Sequence, residues 1–169
     1  MYRHFRYLPE FVYGGVDGVI TTFAIVMAGV GAGFSASIIL VIGFANVFAD
    51  AFSMASSSYL SAESEEAAIS GGRIERPLRR AFATFFSFSS VGAVPLAPFV
   101  VALMFPTLSE FVVALSIGAT IFALVAVGYV SGVAEGKNPL IVVFRTVLIG
   151  GTAATIAFFV GVFLGGMVV

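Results

Sequence analysis

Two aspartates lie inside stretches that are otherwise apolar enough to cross a bilayer. Asp17 sits in FVYGGVDGVITTFAIVMAGVGAG, residues 11–33, and Asp50 in IILVIGFANVFADAFSMASSSYLSAESEE, residues 38–66. Placing a carboxylate in hydrocarbon costs ~2.5–3.5 kcal/mol on insertion scales, and intramembrane acids are functional by default. In the second stretch Asn46, Asp50, Met54 and Ser57 or Ser58 recur at helical spacing, so an amide, a carboxylate, a thioether and a hydroxyl share one stripe. Two buried carboxylates with no cation between them repel, and one takes a proton; with a divalent cation between them both can ionise. Such a pair couples metal binding to proton release. Oxygen donors suit Mg, Ca and Mn, and the Met54 thioether shifts the preference toward later ions such as ferrous iron. The spans contain neither histidine nor cysteine, which argues against a zinc or copper(II) site. The candidate metal residues are therefore Asp17, Asp50 and Met54, with Asn46 as a polar neighbour. The alternative is that the acids only hydrogen-bond to neighbouring helices and Met54 is ordinary packing.

The elements that must position these residues are membrane helices. Of 169 residues 60% are hydrophobic and 10% charged, against about 25% charged in a soluble domain. The spacing predicts an all-α integral membrane protein with a single transmembrane domain over residues 1–169. Five spans are expected at about 9–33, 35–62, 80–104, 109–133 and 139–167, joined between the second and third by a connection at about 63–79. An odd number of spans puts the termini on opposite sides. The basic residues are Arg3, Arg6, Arg73, Arg76, Arg79, Arg80, Lys137 and Arg145, all on one side, so the N-terminus is assigned to the cytoplasm and the C-terminus to the outside or lumen. MYRHFRYLPEF leads into a span longer than a signal-peptide core, without a small-residue cleavage site, so the first helix is expected to stay.

The first two spans should form a tight hairpin, as should the third and fourth. With a tip near residue 34, a rise of ~1.5 Å per residue puts Asp17 level with residue 51, roughly 12 Å into the membrane. Asp17 and Asp50 are thus expected at one depth, with Met54 about one turn away. The PLAP stretch, with Pro95 and Pro98, should break the third helix, either as a kink or as an unwound segment. Asn138 and Pro139 read as the cap and first residue of the last helix. The glycine pairs Gly14–Gly18, Gly29–Gly33, Gly128–Gly132 and Gly161–Gly165 read as close helix packing.

Glu63, Glu65 and Glu66, beyond the stripe, could attract cations to it or form a solvated helix end. Arg145 is expected to snorkel to the interface or to pair with an aspartate when no metal is bound. His4 and Glu10 read as interfacial, Glu110 as a helix-starting acid, and Tyr13, Tyr59 and Tyr129 as interface aromatics. The absence of cysteine excludes disulfides and thiol nucleophiles. No nucleophile–base pair, cofactor fingerprint or sizeable soluble domain is visible, so an enzyme is not expected, nor a cofactor or a nucleic-acid partner.

GGVDGVITTFAIVMAGVGAG followed by GFANVFADAFSMASSSYLSAESE resembles the first two helices of the vacuolar iron transporter family, whose pattern is an Asp-Gly in the first helix and a Ser-Met, then Tyr-Leu, in the second. PLAPF, GKNPL and FRTVLIGG are similar to its later segments. The resemblance implies a five-helix protomer in a homodimer with the ion path at the dimer interface. It implies export of ferrous iron, manganese or both out of the cytoplasm in exchange for protons, with Asp17 and Met54 in the metal path. Asn46 stands where plant-like members carry a glutamate, and Asp50, one turn later, is expected to supply that charge. The glutamate-rich cytoplasmic domain of iron-storing members has no room in the short connection, where ESEE is read as a remnant. A prokaryotic inner membrane is the expected location, with a vacuolar membrane as the alternative. A passive divalent-cation channel and a non-transporting membrane scaffold are the competing functions.

Overall fold

The structure, a computed structural model, describes residues 8–68 and 77–168, with side chains over 8–65 and 77–167. The helices are α1 (Leu8–Gly31), α2 (Ala36–Ala68), α3 (Pro77–Gly92), α4 (Ala97–Met104), α5 (Val112–Ala134) and α6 (Pro139–Val168), and the described residues contain no strand. Five helical stretches are long and apolar enough to cross a membrane, with α3 and α4 forming one of them, Pro77–Met104. The chain is a multi-pass integral membrane protein of the all-α class.

Local chemistry explains where each helix stops. α1 ends in a Schellman turn: Gly33 takes φ +73°, Phe34 N–H donates to the Gly29 carbonyl and Gly33 N–H to that of Val30. Gly29 and Gly33 are therefore not a packing pair, because Gly33 is the left-handed turn residue and nothing lies within 4 Å of where a Cβ would sit. Gly136, at φ +65°, closes α5 in the same way. Two residues later Asn138 Oδ1 accepts from Leu140 N–H at 3.0 Å, capping α6 where Pro139 opens it.

The proline break between α3 and α4 is a short 3-10 turn, Val94–Leu96. Carbonyls freed at that depth need partners from protein. The buried Ser116 hydroxyl of α5 donates to the Pro95 carbonyl at 2.7 Å, so the kink is sealed inside the bundle. Phe88, Leu96 and Phe99 are fully buried around it.

α1 is the central helix, packed chiefly on α3 and α6 and also touching α2 and α5. Close approach to α3 depends on glycine: a Cβ on Gly18 would lie 2.7 Å from the Phe88 carbonyl oxygen. α6 reaches α1 through Gly161 and Gly165, set against Ala28 and Ala32. The first two helices are joined by a short turn at 32–35, as in the expected hairpin, but they pack on each other only in part. α3 packs along both α1 and α2 more extensively than those two pack on each other. The small faces of α1 are taken up by α3 and α6, which leaves α2 to lie mainly on α3.

Candidate metal centre

Asp17 projects from the middle of α1, between Gly14 and Gly18, which hold the helix against α3. Its carboxylate is half-buried and lies within electrostatic range of the Asp50 carboxylate on α2. Asp50 is also half-buried, and its Oδ2 accepts a hydrogen bond of 2.7 Å from Asn46 Nδ2, one turn earlier. Met54, one turn further along α2, is half-buried on the same stripe, while Ser57 is exposed. Thr21 donates to the backbone carbonyl of Asp17 at 2.8 Å and not to its carboxylate.

The structure thus brings Asp17 and Asp50 toward one another and puts Asn46 on Asp50. Among the described residues no group of three or more acidic, histidine or cysteine side chains could hold a metal ion. One protomer supplies four ligand groups: two carboxylates, an amide and a thioether. The large groove of about 980 Å³ lies elsewhere, between α1, the end of α5 and the start of α6, lined by Tyr13, Glu135, Lys137 and Arg145. Lys137 hydrogen-bonds to Glu135 and holds that exposed carboxyl below the usual carboxylate range, with Ser131 assisting. Arg145 is exposed and makes no ion pair with either aspartate.

The glutamates beyond the stripe have separate surroundings. Glu63 is exposed, Glu65 is ion-paired to Arg80 at 2.9 Å, and the Glu66 side chain lies outside the described residues, as does His4. Arg80 also binds Glu10 at 2.6 Å, and the Glu10 side chain is only 10% exposed. Glu10, in the first turn of α1, is thus an ion-pair member at the end of the span. Its place seven residues before Asp17, on the same helix face, is the signal in the sequence that marks it.

The profile of the VIT family matches residues 8–73 and 66–162, two stretches that overlap in the connection between α2 and α3. The chain belongs to this family. A curated vacuolar iron transporter of Arabidopsis thaliana is 27% identical over 220 aligned positions, covering 92% of this chain and 86% of that protein. Another, from Centaurea cyanus, is 25% identical over 210 positions, covering 88% of this chain and 84% of its own length. Both alignments are longer than this VIT-family chain of 169 residues, so the plant proteins contain positions that it lacks. A vacuolar iron transporter of Toxoplasma gondii is 47% identical over 60 residues, 36% of this chain but only 20% of that protein.

Proposed function

We propose that this VIT-family protein exports divalent metal ions, ferrous iron and/or manganese, from the cytoplasm across a membrane in exchange for protons. The observation that carries the reading is the approach of Asp17 and Asp50, half-buried on two membrane helices, with Met54 one turn beyond Asp50. In the metal-free state the pair is relieved of its repulsion by taking up a proton; an arriving divalent ion displaces that proton and is held by both carboxylates. The Asn46 amide orients Asp50, and the Met54 sulfur favours the softer first-row ions over magnesium and calcium. A homodimer completes the site: two copies of Asp17 and Asp50 around one axis bring four carboxylates together. The relatives named vacuolar iron transporter support iron as one cargo.

The test is flux into liposomes that hold a pH gradient, with an internal dye reporting ferrous iron and manganese. Flux should follow the proton gradient in the wild type and fall at least tenfold in Asp17→Asn and in Asp50→Asn, as expected when an intramembrane ionisable ligand is neutralised. Flux that ignores the gradient means a channel. Absence of flux with every divalent ion, in protein that is folded, means a scaffold whose polar groups hold helices together.

A further inference from the structure

At the end of the bundle where α1 begins, α2 ends and α3 begins, three charged side chains form a cluster that the Asp17–Asp50 pair does not explain. Arg80 donates from Nε to Glu10 Oε1 at 2.6 Å and from Nη1 to Glu65 Oε2 at 2.9 Å. Burial is graded across it: Glu65 is 50% exposed, Arg80 23% and Glu10 10%. The second oxygen of Glu10, Oε2, is buried and has no hydrogen-bond partner among the described residues. A buried carboxylate oxygen without a donor is costly, so an unfilled acceptor on the group that Arg80 pairs with points to a ligand that supplies what Arg80 does not.

Placement ties the cluster to the acid pair. Glu10 precedes Asp17 by two helical turns on one face of α1, a separation of roughly 10 Å. On α2, Glu65, Ser61, Ser57 or Ser58, Met54 and Asp50 follow one another at three- or four-residue spacing. Polar registers on both helices therefore lead from the cluster to the aspartates.

We propose that Glu10 and Glu65 form an outer divalent-cation site on the approach to Asp17 and Asp50, and that Arg80 is its tethered counter-ion, displaced when a metal ion arrives. This rests on the metal-transport reading above. Arg80 brings one positive charge and satisfies one oxygen of Glu10, whereas a divalent ion brings two charges and can engage both oxygens. The guanidinium, 23% exposed between the two glutamates, can swing past Glu65 into water with its charge intact. The donors here are carboxylate oxygens without sulfur, so the outer site accepts hard divalent ions broadly and leaves selection to the site that contains Met54. After the ion moves inward, Arg80 pairs again with both glutamates behind it.

The test measures Mn²⁺ binding by electron paramagnetic resonance on the full chain in lipid nanodiscs, in an Asp17→Asn, Asp50→Asn background. Arg80→Gln should tighten Mn²⁺ binding there about tenfold or more, because a competing unit charge is gone. Adding Glu10→Gln should abolish the binding. Unchanged binding in Arg80→Gln, or binding that survives Glu10→Gln, overturns the proposal and leaves Arg80 a helix clamp. Should Arg80→Gln fail to fold by size exclusion, the background is compared with its Glu10→Gln derivative at high Mn²⁺: loss of weak binding supports the site and equal binding overturns it. Because binding is read without transport, failure here is distinct from failure of the flux experiment.

Discussion

At the scale of single residues, Asp17 on α1 and Asp50 on α2 lie within electrostatic range of one another. Asn46 and Met54 flank Asp50 by one turn on either side, yet their chemistry predicts different losses. Met54→Leu keeps the volume and removes the soft donor, so iron flux should fall several-fold more than manganese flux, in line with thioether preference. A parallel fall for both ions, measured in the same liposomes, would make Met54 a packing residue. The Asp17–Asp50 relation was legible in the sequence, because a fixed helical rise and a short turn set depth by counting. The Glu10–Arg80 pair was not, since its members are 70 residues apart and their meeting depends on how α3 is rotated.

Helix packing is set by the small residues on α1. Gly18 has no room for a side chain: a Cβ there would meet the Phe88 carbonyl oxygen at 2.7 Å, and that backbone cannot step aside without moving α3. Gly18→Ala should destabilise by about 1–3 kcal/mol, the usual cost of overpacking, and should weaken metal binding at the neighbouring Asp17. Gly118 on α5 is exposed with nothing within 4 Å of a built Cβ. Gly118→Ala should leave the melting temperature unchanged or slightly raised, since alanine is the better helix former by about 1 kcal/mol in water. Thermal melts of both variants in one detergent check the contrast; equal shifts would mean that the α1–α3 contact does not limit stability. Glycine spacing could flag these contacts without saying which helix answers each one. Gly29 and Gly33 had the same spacing as the packing pairs and ended as part of a turn.

For the whole molecule, the proposed homodimer predicts which face pairs. Asn46, Asp50, Met54 and Ser57 run along one side of α2, and Ser53 is exposed beside them. The chain has no cysteine, so single substitutions report cleanly. Ser53→Cys should form a disulfide between copies in oxidised membranes, whereas Cys at Phe122 on α5, 74% exposed, should not. Cross-linking at Phe122 and not at Ser53 would place the partner elsewhere and remove the second pair of carboxylates from the site.

The amino-acid order alone established a multi-pass helical membrane protein with five spans, because hydrocarbon demands that every backbone polar group be satisfied within a helix and so ties apolar length to span number. It also marked Asp17 and Asp50, since a carboxylate in such a span is expensive enough to need a reason. Helix neighbours were left undecided, because many rotations bury an equally apolar surface in lipid and no hydrophobic pattern selects among them. Three-dimensional packing settled that: α3 took the glycine face of α1, α2 followed α3, and Arg80 was carried between Glu10 and Glu65.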